Sequence, residues 1–190
     1  MKTDDDARSA GEDALEVLRA LDKEDLIRIV MDDAKNWLAH DGLWFQAVEG
    51  AHGMDAAIAA DRAAWERFTV VEAKRIMERL GMEPGGGLPA LLEALRHRLY
   101  ARLNVQEATE VSERRAVFVM RDCRVQSARR RKGLPDFPCK SVGLVEYAGF
   151  AKAIDPRIET RCIACPPDEH PEDVWCAWEF TIPGSGEGAP

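Results

Sequence analysis

Apolar residues recur at three- and four-residue steps through the first hundred positions of the chain, and at two-residue steps near its end. The first pattern is that of helices with one buried stripe, the second that of strands with one buried face. Leu15, Leu18 and Leu21 open the helical region, and Leu26, Ile27, Val30, Ala34, Trp37 and Leu38 continue it. At Asp41-Gly42 the pattern allows two outcomes: Asp41 caps a new helix, or one helix continues to about Glu49. Beyond a turn at residues 50–53, Met54, Ile58, Trp65, Phe68, Val71 and Ile76 mark a long helix that ends near Gly81. Residues 84–87, Pro-Gly-Gly-Gly, form a loop without the Lys-Ser/Thr of a phosphate-binding loop. Pro89 suits the first turn of a further helix with Leu91, Leu92, Leu95, Leu99 and Leu103 inward.

The second half changes period. Residues 107–111 and 115–121 predict a hairpin, with Val117 and Val119 on one face and Phe118 and Met120 on the other. A short helix follows Asp122-Cys123, residues 133–138 form a loop, and a helix spans residues 140–154 with Val142, Val145, Phe150 and Ala151 inward. Residues 157–163 and 174–182 predict two more strands, the latter placing Val174, Cys176, Trp178, Phe180 and Ile182 on one face. The fold class expected is α+β, a helical N-terminal half packed on a small, mainly antiparallel sheet with two further helices. Residues 13–105 form the helical part and 106–182 the α+β part of one compact domain, between an acidic tail at 1–12 and a Gly/Pro-rich tail at 183–190.

Composition narrows the function classes. Hydrophobic residues make up 46% of the 190, enough for a sizeable core. A net charge of −8 and a pI near 5.1 argue against nucleic acid and anionic membranes as partners. The run Arg129-Arg130-Arg131-Lys132 goes against that trend, as a solvated helix end or an anion site. The start of the chain carries no apolar signal core and no apolar run is long enough to span a membrane, so the expected location is the cytoplasm. Thiols stay reduced there, and five is an odd number for a disulfide framework. Oligomeric state is left open.

The densest chemistry is Cys162-Ile-Ala-Cys165-Pro-Pro-Asp-Glu-His170-Pro-Glu-Asp-Val-Trp-Cys176. A Cys-x2-Cys pair is half of a zinc ribbon, and the other ligands would be drawn from Cys176, His170, Cys139 or Cys123. If the last two strands pair in a register symmetric about Glu169, Cys162 lies opposite Cys176 on the core side while Cys165 and His170 ride the loop. Burial as small apolar groups, metal binding and thiol reactivity all fit this pattern. Cys123 and Cys139 stand at helix starts, where unpaired backbone N–H groups and the adjacent Arg124 and Lys140 favour a thiolate. A redox role for the Cys162/Cys165 pair is disfavoured, because thioredoxin-like pairs open a helix. In the helical half, Asp41 falls on the stripe Val30, Ala34, Trp37, Trp44, Phe45 and Val48, and Asp61 and Glu72 fall on the stripe Met54, Ile58, Trp65 and Phe68. Inward carboxylates from two helices can do acid–base work or hold a metal. Alternatively Asp41 caps a helix while Asp61 and Glu72 pair with Arg62, Lys74 or Arg75.

Several of these features recur together elsewhere. A strand leading into Asp122-Cys123-Arg124, an Arg-rich turn and Gly133, Cys139, a helix, and a final hairpin ending Cys176-Ala-Trp-Glu-Phe180 resemble the C-terminal part of the 2-amino-thiazoline-4-carboxylate hydrolase-like proteins. Those in turn resemble the ligand-binding vinyl reductase domain of some bacterial regulators. Over residues 24–182 the chain looks closer still to an uncharacterised family of microbial cytosolic proteins. That closer likeness rests on Trp37-Leu-Ala-His-Asp-Gly-Leu-Trp-Phe-Gln46, Gly133-Leu-Pro-Asp-Phe-Pro-Cys-Lys140 and Cys162-Ile-Ala-Cys-Pro-Pro-Asp-Glu-His170. The hydrolase likeness implies a small-molecule pocket between helices and sheet, with Cys123 and Cys139 as functional thiols. The expected function is that of a small-molecule-binding, hydrolase-like protein acting on an amide-like or heterocyclic substrate. Cys123 or Cys139 would be nucleophile or ligand, His170 the acid–base partner, and Asp41 or Asp61 would complete the pocket. The alternative is a non-catalytic, zinc-binding or ligand-sensing module holding its metal through Cys162, Cys165, Cys176 and His170.

Overall fold

The computed structural model describes residues 4–184, with side chains from residue 12 onward. The expected tails fall partly outside this span, at residues 1–3 and 185–190, while the backbone from Asp4 is already helical. Four helices come first: α1 (Asp4–Ala20), α2 (Lys23–His52), α3 (Met54–Leu80) and α4 (Gly87–Arg96). A short 3-10 turn at Leu99–Arg102 leads into β1 (Val105–Thr109) and β2 (Arg115–Asp122). Then follow α5 (Arg124–Arg131), α6 (Lys140–Ile154), β3 (Glu159–Ala164) and β4 (Cys176–Thr181). Of the two outcomes open at Asp41-Gly42, the continuous helix is the one formed, so Asp41 lies inside α2 and caps nothing. The leucine-rich helix is shorter than expected: α4 stops at Arg96, and Leu99 belongs to the 3-10 turn.

Contacts divide the chain into two compact units, Met1–His40 and Asp41–Pro190, where the sequence pattern predicts a single one over residues 13–182. The reason lies in the first unit's own stripe. From residue 12 to 40 only Ala34 is buried, and Leu15, Val17, Leu18, Leu26, Ile27, Ile29 and Val30 are exposed. Apolar periodicity forms the helices here without giving them a shared core.

The second unit holds the α+β core. Its four strands are antiparallel in the order β1-β2-β4-β3. One sheet face presents Ala116, Phe118, Met120, Trp178 and Phe180 to a core completed by Ala73, Ile76 and Met77 of α3, Leu88, Leu91, Ala94 and Leu95 of α4, and Tyr147, Phe150, Ala151 and Ile154 of α6. Val117, Val119 and Ala177 form a smaller cluster on the other face, as two-residue alternation requires. Val174 packs with that second cluster rather than with Cys176 and Trp178, because regular alternation begins only at Cys176. Helix α6 packs against α3, α4 and β3. Two glycines allow the close approach: a Cβ on Gly143 would sit 2.5 Å from the Trp178 ring, and one on Gly149 would sit 2.7 Å from the Thr69 methyl. The inward face of α6 carries Val142, Glu146, Phe150 and Ile154 at four-residue steps, together with Tyr147, while Val145 is only half-buried.

The strand register sets the thiols. Cys162 pairs with Trp178, and Cys176 pairs with Met120 of β2, so Cys162 does not face Cys176. The offset from the expected register is two residues, which preserves the face, and both thiols pack on the main core. A bulge at Ile163 then inserts one residue, so that Ala164 pairs with Ala177. Ile163 turns outward at 44% exposure, and Cys165 returns to the core side at 1%. Cys165 thus opens the β3–β4 loop, as expected, but the bulge turns it inward, and it packs on the same core as Cys162.

Candidate functional site

All five cysteines are free and draw together at one end of this core. Cys123 follows β2 and precedes α5, Cys139 precedes α6, Cys162 lies on β3, Cys165 lies just past it, and Cys176 opens β4. The Cys139 and Cys165 sulfurs are 3.6 Å apart. The Cys165 thiol also hydrogen-bonds Cys176, and Cys123 and Cys162 each lie within electrostatic reach of Cys139 and Cys176. Gln126, 1% exposed, fixes the loop that carries Cys139. Its amide nitrogen donates to the Phe137 carbonyl at 2.8 Å and lies 3.7 Å from Cys139 Sγ, and its oxygen accepts the Phe137 N–H at 2.8 Å.

The protonation of these thiols differs from the sequence expectation. The Cys123 thiol is pushed up to about 12 by burial, and the lowering by the Gln126 and Val125 N–H groups at the start of α5 does not overcome it. Cys123 is thus a neutral thiol at neutral pH rather than a helix-stabilised thiolate. Cys165 is pushed far up by its hydrogen bonds to Cys139 and Cys176 and by burial. Burial also raises Cys162, against the pull of the Lys140 cation.

His170 is not brought to the thiols. Its ring packs on Trp175 at 5.5 Å, and its Nδ1 donates to the Pro171 carbonyl at 3.0 Å. The Arg130 guanidinium lies 4.1 Å over the same Trp175 ring. Most of the basic run is absorbed in a similar way. Arg129 forms a buried two-pronged pair with Glu49 at 2.8 and 2.9 Å, Arg130 pairs with Asp136, and Lys132 donates to Gln46. Arg129 alone of the run is buried, while Arg130, Arg131 and Lys132 are exposed, as the reading of a solvated helix end expects.

A second polar centre lies beside the thiols, built around Arg98, which the sequence pattern did not single out. Arg98 is 2% exposed. Its Nε donates to Glu72 at 2.9 Å, and its Nη2 forms ion pairs with Glu72 at 2.8 Å and Glu146 at 2.7 Å. It lies 4.8 Å from the Phe150 ring and 5.6 to 5.8 Å from those of Trp65, Tyr147 and Tyr100. Burial opposes its charge, and Glu146 and Glu72 overcome that and hold its pKa above the ordinary value. Burial likewise pushes the Glu146 carboxyl up, with Arg98 pulling it down. The expected partners of Glu72, Lys74 and Arg75, are therefore replaced by a residue 26 positions away.

Asp41 and Asp61 join this centre. Burial and the charges of Asp41 and Glu146 push the Asp61 carboxyl up to about 7, against a hydrogen bond from Trp65. Burial and the charges of Glu146 and Asp41 hold the Tyr100 hydroxyl protonated far into the alkaline range, and the Cys123 sulfur adds to this. Tyr147 responds to Cys176 and Cys123 on one side and to Glu146 and Arg98 on the other. Both tyrosines thus lie within electrostatic reach of carboxylates and thiols alike. A carboxyl that titrates near neutrality can take or give a proton under ordinary conditions. The available signals for this centre were Glu146, at four-residue steps from Val142 and Phe150, and Arg98, three positions from Leu95 and seven from Leu91.

The residues fit a metal only in part. The Cys139–Cys165 spacing is within reach of a shared tetrahedral zinc, whose bonds to sulfur are about 2.3 Å. Among the described residues, however, no group of three or more His, Cys, Asp or Glu side chains is arranged to hold a metal ion. No helix among them is long and apolar enough to cross a membrane.

The model of a protein family described as a family of unknown function (DUF6125) matches residues 19–182. The chain belongs to this family. The matched span contains residues 24–182, the stretch of the closer likeness, and includes every cysteine and both carboxylates of the candidate site. No curated protein matches the chain.

Proposed function

We propose that this protein binds and transforms a small molecule in a hydrolase-like reaction on an amide-like or heterocyclic substrate. The observation that carries the proposal is Asp61, titrating near neutrality beside Asp41 and Glu146, the same two carboxylates that act on Tyr100, which is itself within electrostatic reach of Cys123. Asp61 is the acid–base group, taking the part that the sequence assigned to His170. Asp41 tunes it by charge. Cys139, half-exposed before α6, is the better-placed nucleophile, and Cys123, neutral and deeper, is a hydrogen-bonding thiol. The resemblance of residues 117–180 to the hydrolase-like proteins supports the same reaction class.

The test is turnover across a panel of small amides and thiazolines. With any substrate that turns over, Asp61→Asn is expected to lower kcat/KM by about 10²- to 10⁴-fold. Asp41→Asn removes a charge that raises Asp61, so the limb of the pH profile set by that group should move to lower pH. Full turnover by both Cys123→Ser and Cys139→Ser would sink the thiol part of the mechanism.

The 3.6 Å approach of Cys139 and Cys165, with Cys176 close enough to raise the Cys165 thiol, favours a second reading as a soft-metal site. The ligands of a zinc ion would then be Cys139, Cys165 and Cys176, completed by Cys162 or Cys123 instead of His170. Metal analysis of untagged, reduced protein checks it. Stoichiometric zinc that disappears in Cys139→Ser is the supporting result, and protein free of metal at stoichiometric level is the opposing one.

A further inference from the structure

We propose that Cys139 and Cys165 are a redox-active dithiol that closes to an intramolecular disulfide on exposure to a small-molecule disulfide. This pairing is separate from the Cys162/Cys165 pair suggested by sequence spacing and stands apart from both functional readings above. The two sulfurs are 3.6 Å apart, and a bond needs a separation of about 2 Å. The segments that carry them are already stitched together. The Lys140 N–H donates to the Pro166 carbonyl at 2.9 Å, so the residues next to each cysteine are hydrogen-bonded across the gap. The Lys140 ammonium pairs with Asp168 at 2.5 Å, and the Asp168 N–H returns to the Cys165 carbonyl at 3.0 Å. Gln126 holds the Cys139 side from the other direction, 3.7 Å from its sulfur. Little more than side-chain rotation separates this arrangement from a bonded pair.

Exposure orders the steps. Cys139 is half-exposed and Cys165 is buried, so the incoming disulfide meets Cys139 first. The Cys139 thiolate attacks one sulfur of glutathione disulfide, forming a mixed disulfide and releasing one glutathione thiolate. Cys165 then attacks the Cys139 sulfur and expels the second glutathione, which takes up the proton that Cys165 loses. In sum, the protein dithiol is oxidised by two electrons and one glutathione disulfide is reduced to two glutathione thiols. The product ties the start of α6 to the segment leaving β3 and withdraws two sulfurs from the cluster.

The full, reduced chain is incubated in glutathione disulfide, and thiols are counted before and after. Two of the five thiols should be lost together with two hydrogens of mass, and proteolysis should release one cross-linked species joining the Cys139 and Cys165 peptides. Cys139→Ser, at a half-exposed position, should abolish that cross-link and leave all four remaining thiols free or glutathionylated, while Cys123→Ser should retain it. The proposal is overturned by a persistent glutathione adduct on Cys139, by a Cys165–Cys176 or Cys162–Cys165 cross-link in its place, or by retention of all five thiols, including retention caused by a bound metal.

Discussion

A buried arginine among four aromatic rings is stable only with its two carboxylates, and Arg98 has both. Removing it strands Glu72 and Glu146, so Arg98→Met should destabilise the fold by about 3–5 kcal/mol in urea denaturation. Converting Glu72 and Glu146 to glutamine in the same chain should recover part of that loss, because the stranded charges disappear. Asp61 acts with the opposite sign. Its folded pKa of about 7 lies above the ordinary 3.8, so between these values the folded chain holds a proton that the unfolded chain has released. Its contribution to stability therefore falls as pH rises across that window and levels off above it. Asp61→Asn should be more stable than the parent by a margin that grows from about pH 4 to about pH 7, read from denaturation midpoints across that range. The sequence showed these carboxylates on inward stripes but not their partner. Arg98 lies two residues past the end of α4, where the chain leaves the helix that the leucine stripe predicted to continue to Leu103.

At the scale of elements, α6 depends on having no side chain at residue 143. A methyl group there would enter the Trp178 ring, which is fully buried against Tyr147, so neither ring can swing aside. Gly143→Ala should cost about 1–3 kcal/mol of stability by overpacking. Most elements were legible in the sequence because periods of two and of three to four are direct consequences of strand and helix geometry. The helix at residues 140–154 and the alternation of Val117 to Met120 match the expected pattern. What the periods could not supply was strand register. That depended on the bulge at Ile163, and nothing in Cys-Ile-Ala-Cys distinguishes a bulged strand from a regular one.

At the scale of the whole chain, the helical pattern up to His40 and the core of residues 41–190 behave as different materials. Residues 12–40 bury only Ala34, while α6 buries seven of its fifteen residues. Backbone amide exchange should be faster across residues 12–40 than across α6 by orders of magnitude, as measured by deuterium uptake. The sequence marks both regions as amphipathic helix, because pattern reports which face is apolar and not whether anything covers it. Gathering five sulfurs from β3, the segment just past it, β4 and two helix starts is likewise a property of the assembled chain, and one residue decides it. Side-chain replacement at Ile163 would leave the strand's count intact. A regular, unbulged strand of the same length would carry Cys165, three positions from Cys162, to the opposite side of the sheet and divide the cluster, with every cysteine still present in the gene product. Strand register, rather than composition, is what holds the thiols of this protein together.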